Sequence, residues 1–144
     1  MVAHLIVVLA NGCFDLLHYG HLLHLEEARK LGDWLVVAVT ADHAVNKGPG
    51  RPVFNQEQRA AMVRALRIVD GVAIVENGEE AIRIIKPDIF VKGSEYDGKL
   101  KEKALVESFG GRCVFTAGPI YSSTRLLDGS YLRVQSPASG RWYY

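Results

Sequence analysis

Five short runs of this 144-residue chain are apolar almost throughout, and they alternate with longer segments whose apolar residues recur at helical spacing. The runs cover residues 5–10, 34–40, 72–75, 89–92 and 112–116, and each is rich in Val, Ile or Phe. A strand with one wet face alternates polar and apolar residues, whereas a strand covered on both faces does not. The segments between them, 17–31, 56–68, 79–86 and 100–109, read as helices. Asn55 and Gln58 make a capping-box pair ahead of Met62, Leu66 and Val69, and Pro87 breaks the chain before the fourth run. Strand and helix in turn predict an α/β domain, a Rossmann-like open parallel sheet of about five strands with helices on both faces. Residues 1–127 read as that domain and 128–144 as a tail or arm, since no internal repeat or linker divides the chain.

Composition narrows the function classes. With 49% hydrophobic and 23% charged residues the chain reads as a folded globule, not a disordered scaffold. Lys and Arg number 17 against 16 Asp and Glu, so no bulk basic field argues for nucleic acid, although a local anion site is left open. No apolar run approaches the ~18–20 residues that a membrane span requires. The first ten residues lack a basic start and read as a buried strand rather than a signal peptide. Cys13 and Cys113 lack metal-like spacing, and two free thiols without an export signal lead to the expectation of a cytoplasmic protein.

Chemistry concentrates at the first strand–helix junction, Asn11-Gly12-Cys13-Phe14-Asp15-Leu16-Leu17-His18-Tyr19-Gly20-His21. In an open parallel sheet, ligands bind outside the carboxyl ends of the strands. A helix start there offers free N–H groups and the positive end of a dipole, both suited to phosphate. Gly12 and Gly20 would let a ligand approach the backbone. Leu17, His21, His24, Ala28 and Leu31 fall on one helical face, and its imidazoles need polar partners or a ligand. His24, one turn deeper, reads as a core-edge histidine bonded to backbone, and zinc on His18, His21 and His24 is a weaker alternative. The loop Lys47-Gly48-Pro49-Gly50-Arg51-Pro52 carries two cations and cannot be helix or central strand.

The segment Gly12 to His21 resembles the signature GxFDxxHxGH of the nucleotidyltransferase superfamily, shared by cytidylyltransferases and adenylyl-transferring relatives. Together with Leu31-Gly32-Asp33, Val37-Ala38-Val39, Lys47 to Val53, Val91-Lys92-Gly93 and Ser122-Ser123-Thr124, it is most similar to the adenylyltransferase domain of bifunctional ADP-heptose synthases. The resemblance implies transfer of AMP from ATP to a sugar phosphate, a heptose 1-phosphate first, with Mg2+ carried by the triphosphate and no protein metal ligand. It implies that His18, His21 and Lys47 act at the reacting phosphates. Asn11, Gly12, Cys13, Phe14, Gly20, Lys92, Gly93, Ser122, Ser123 and Thr124 would form the nucleotide site, although Ser122 and Ser123 also read as plain helix caps. Asp15, Asp42 and Arg59 would face the second substrate or its phosphate, with a solvated helix cation as the other reading of Arg59. An Arg expected of polyol-phosphate cytidylyltransferases is missing before Ser122, which disfavours the runner-up, CTP with glycerol 3-phosphate. A catalytically silent nucleotide-binding module is the alternative of another class. The resemblance further implies a homodimer and a kinase elsewhere to supply the phosphorylated substrate.

Overall fold

The computed structural model describes residues 4–117 and two short strands, 134–135 and 142–143. Strands β1 (Val7–Gly12), β2 (Trp34–Thr40), β3 (Gly71–Val75), β4 (Ile89–Gly93) and β5 (Arg112–Thr116) form one sheet in the order β3-β2-β1-β4-β5. All four pairings are parallel, as the unbroken apolar runs predict. Helices α1 (Tyr19–Arg29), α2 (Gln56–Arg64), α3 (Gly78–Ile85) and α4 (Lys103–Ser108) make the crossovers. Strands β6 (Val134–Gln135) and β7 (Trp142–Tyr143) pair antiparallel. Ser122, Ser123 and Thr124 lie outside the described residues.

Alternation along each strand sorts the core into two layers. Val8 and Ala10 of β1, Val37 and Val39 of β2 and Val91 of β4 pack with Leu25 and Ala28 of α1 and Val63 of α2. On the other face, Leu9, Ala38 and Phe90 pack with Ala81 and Ile82 of α3 and Val106 of α4. The chain winds outward from β1 through β2 to β3, then returns to place β4 on the opposite side of β1. That reversal opens a crevice at the carboxyl ends of β1 and β4.

Element ends move for identifiable reasons. The first strand runs over Val7–Gly12 instead of 5–10, because Ile6 O is taken by the N–H groups of Asp33 and Trp34 while pairing with β2 continues to Gly12. Helix α1 starts two residues late because His18 is extended, at φ −137° and ψ 179°, and caps it. The capping box at Asn55 and Gln58 is present, but α2 ends at Arg64. Leu66 and Val69 continue the apolar packing on three-residue turns, Leu66 N–H to Val63 O and Val69 N–H to Leu66 O. At the opposite end of the sheet, Asp33, Asp70 and Asp88 each precede a strand and accept from an N–H at or next to the start of a neighbouring strand, those of Ile6, Leu35 and Val7, each at 2.8 Å. Carboxylates thus close the amino ends of the strands and leave the carboxyl ends to the site.

Candidate active site

The junction loop is held in an uncommon shape. Phe14 and Leu16 both have φ of 54°, a left-handed conformation that costs a non-glycine residue energy. Asp15, between them, is 1% exposed. Its carboxylate accepts from Arg51 Nε at 2.8 Å and from the N–H groups of Val53 at 2.7 Å and Phe54 at 3.0 Å. Burial alone would raise the Asp15 pKa, but the Val53 and Phe54 N–H groups and the Arg51 guanidinium outweigh it and lower it. The Lys47–Pro52 loop is thereby tied down beside the signature. Gly12 has a local task too, since a Cβ there would stand 3.0 Å from the Phe14 ring.

At the start of α1 two imidazoles build a reciprocal cap. His18 Nδ1 accepts from Gly20 N–H at 3.0 Å, and His21 Nδ1 accepts from His18 N–H at 3.1 Å. This is the capping-box arrangement with histidines in place of the usual hydroxyl and carboxyl side chains. A neutral ring that accepts at Nδ1 carries its proton on Nε2. The cap therefore fixes the tautomer of both rings, which stack with centroids 3.9 Å apart. Burial, and then the charge of Lys47, lowers the His18 pKa. Burial, His18, Lys47 and His24 push His21 down to about 3, against a smaller opposing pull from Asp15. The result is a pair of neutral Nε2–H donors at a helix N-terminus. His18 Nε2 is buried and has no hydrogen-bond partner among the described residues.

These groups border a cavity of about 230 Å³ in the crevice between β1 and β4. Asn11, Gly12, Cys13, Phe14 and Gly20 line it on the β1–α1 side, and Lys47 reaches it from its exposed loop. Lys92 and Gly93 line it from β4. Lys92 Nζ donates to Asn11 O at 3.2 Å, and burial lowers its pKa against the pull of Glu102 and Glu95. The structure thus brings His18, His21, Lys47, Lys92 and the expected nucleotide-site residues Asn11, Gly12, Cys13, Phe14, Gly20 and Gly93 to one place.

It does not bring Asp15, Asp42 or Arg59 there. Arg59 is no solvated cation: it is 1% exposed, and its guanidinium donates to Phe54 O at 2.9 Å, Cys13 O at 2.7 Å and Asp42 Oδ1 at 2.8 Å. Asp42 is held by that pair, and its N–H donates to Gln56 Oε1. Arg59 and Asp15 brace the loops from behind, because their charges are consumed by internal partners. His24 is the reverse case. It lines the cavity and bonds a side-chain hydroxyl, Thr116 Oγ1 at 3.0 Å, rather than backbone. Ser94, Glu95, Tyr96 and Thr116 also line the cavity. Their position at or just past the carboxyl ends of β4 and β5 is the signal that would have found them. No group of three or more His, Cys, Asp or Glu among the described residues is placed to hold a metal ion, so the three histidines do not assemble the zinc site considered above.

The cytidylyltransferase-like family model matches residues 9–124, which contain all the described residues that line this cavity. The chain belongs to that family. Relatives named bifunctional protein HldE include one from Desulfatibacillum aliphaticivorans, 43% identical over 128 residues, covering 85% of this chain and 26% of that protein. Another, from Campylobacter fetus subsp. fetus (strain 82-40), is 47% identical over 117 residues and covers 74% of this chain and 26% of that protein. The chain therefore spans about a quarter of the length of these relatives. Among solved structures, a lipopolysaccharide core biosynthesis protein from Thermoplasma volcanium GSS1 superposes with a TM-score of 0.69 at 31% identity, over 81% of this chain and all of that one. A pantoate-beta-alanine ligase from Francisella tularensis shares the fold, with a TM-score of 0.65 at 15% identity over 89% of this chain and 67% of that one. The chain is a nucleotidyltransferase domain of the cytidylyltransferase-like type. No helix among its described residues is long and apolar enough to cross a membrane.

The depressed His21 pKa has a measurable sign. The unfolded chain takes up a proton on this ring near the ordinary value of 6.5, whereas the folded ring resists until about 3. Between those values the unfolded state binds more protons, so stability falls as pH falls. At 1.36 kcal/mol per unit, His21 alone removes up to about 2 kcal/mol between neutral pH and about pH 5. Urea unfolding of His21→Gln is expected to show a shallower loss over that window than wild type. Equal slopes would mean that the His21 ring titrates normally.

Proposed function

We propose that this domain is an adenylyltransferase that moves AMP from ATP onto a sugar phosphate, first a heptose 1-phosphate, with release of pyrophosphate. One observation carries the reading: His18 Nε2, buried and without a partner among the described residues, at the N-terminus of α1 in a cavity shared with Lys47. An unsatisfied buried donor costs ~1–3 kcal/mol, and a phosphate oxygen at a helix N-terminus is well suited to satisfy it. The name of the Thermoplasma volcanium protein supports a carbohydrate acceptor, and the resemblance of the signature to the adenylyltransferase domain of ADP-heptose synthases supports ATP.

In the proposed reaction a phosphate oxygen of the sugar phosphate attacks the α-phosphorus of ATP. The bond from that phosphorus to the bridging oxygen breaks, and pyrophosphate leaves with the oxygen and its electron pair. Such transfer depends on alignment and on donors aimed where charge collects. His18 and His21 supply neutral Nε2–H donors to phosphate oxygens, and the α1 dipole adds to their effect. Lys47 brings a mobile charge to the departing phosphates. Ser122, Ser123 and Thr124 belong to the proposed nucleotide site through the family signature. Magnesium would neutralise the triphosphate and keep most of its waters, a role that asks few protein carboxylates.

The test is pyrophosphate release from protein, Mg2+, each of four nucleoside triphosphates and a panel of sugar and polyol phosphates. Release with ATP and a heptose phosphate alone is expected. Release with CTP and glycerol 3-phosphate would replace this reading with a cytidylyltransferase, and none in any mixture would leave a binding module.

A further inference from the structure

The two ends of the cavity differ in charge. His18 and His21 feel Lys47. His24, one turn farther along α1, instead faces Lys92 and the carboxylates of Glu95 and Glu27. Glu95 lines the cavity at this end with Ser94 and Tyr96. Among the described lining residues Glu95 is the one carboxylate and offsets Lys92 beside His24, whereas nothing in the lining offsets Lys47. The anionic part of a nucleotide therefore belongs at the Lys47 end and the less charged part beside His24.

The His24 ring is fixed for such a contact. Its Nδ1 pairs with Oγ1 of Thr116, the buried last residue of β5. Glu27 accepts from Ala117 N–H at 3.1 Å, a second tie between α1 and the chain leaving β5. With Nδ1 engaged, Nε2 is the ring atom left to meet a ligand in the cavity that His24 lines. Burial, and then Lys92, lowers the His24 pKa, so the ring offers one neutral hydrogen bond and no charge. That matches a sugar hydroxyl or a base nitrogen better than a phosphate.

We propose that His24, seated on Thr116, contacts the nucleoside moiety of the bound nucleotide. The inference rests on the nucleotide reading above and adds to it a nucleoside subsite built from α1 and β5. It is tested with the full chain by calorimetric binding of two probes, ATP and inorganic tripolyphosphate, each with Mg2+. His24→Leu is expected to weaken ATP ~10-fold, the order of one buried hydrogen bond, and to leave tripolyphosphate unchanged. Thr116→Val, which leaves the imidazole but removes its seat, is expected to weaken ATP in the same direction by less. Thermal melts establish that each variant is folded, and His24→Gln replaces His24→Leu if the latter is not. Equal weakening of both probes, or of neither, overturns the assignment of His24 while the nucleotide reading stands. A wild-type protein that binds neither probe overturns both.

Discussion

His18→Asn is expected to lower turnover ~10²–10³-fold in the pyrophosphate assay while leaving the melting temperature within a few degrees of wild type. The separation follows from the two nitrogens of one ring. Nδ1 caps α1 by accepting from Gly20 N–H, and Asn ranks among the best N-cap residues, so the helix keeps its cap. Nε2 is a buried donor without a partner among the described residues, and Asn is too short to replace it. Removing one well-aimed donor to a developing anion costs ~2.7–4 kcal/mol of barrier, which sets the expected range. His18→Ala loses both nitrogens and is expected to add a stability loss of ~0.5–2 kcal/mol to the same fall in turnover. Near wild-type turnover in a folded His18→Asn protein would remove His18 from the chemistry.

The largest expected stability effect lies outside the cavity, at Asp15. Its side chain is fully buried against an Arg51 side chain that is 5% exposed. Asp15→Ala leaves that cation buried without this carboxylate and strips the Val53 and Phe54 N–H groups of their acceptor. Breaking a buried pair by removing one partner costs ~3–5 kcal/mol, and urea unfolding should report a loss of that order. The double variant Asp15→Ala with Arg51→Met is expected to lose less than the two single losses combined, because no charge is left stranded. Additive losses would show that the pair does not act as a unit. Because the folded Asp15 pKa is lowered, its contribution is present above the ordinary carboxylate value and disappears as pH falls through the folded one.

Both predictions concern residues of the same short signature, yet only one of them borders the cavity. In the linear chain Asp15 and His18 look alike as polar residues on a ligand-facing junction. What separates them is distance along the chain to their partners. Asp15 is bonded to residues 36 to 39 positions away, and Arg59 reaches Cys13 across 46. No local spacing records such contacts. His24 was obscured in the same way, because its partner Thr116 lies 92 residues on.

The amino-acid sequence by itself determined the five parallel strands, the helices between them, the α2 capping box and the junction where a ligand would bind. These are local properties, set by periodicity, apolar runs and capping residues within a few positions of one another. Only the tertiary structure decided which polar groups of that junction are consumed and which remain for a ligand. That is a question of pairing across the fold: a buried charge with an internal partner braces a loop, and a buried donor with none among the described residues is left for a ligand.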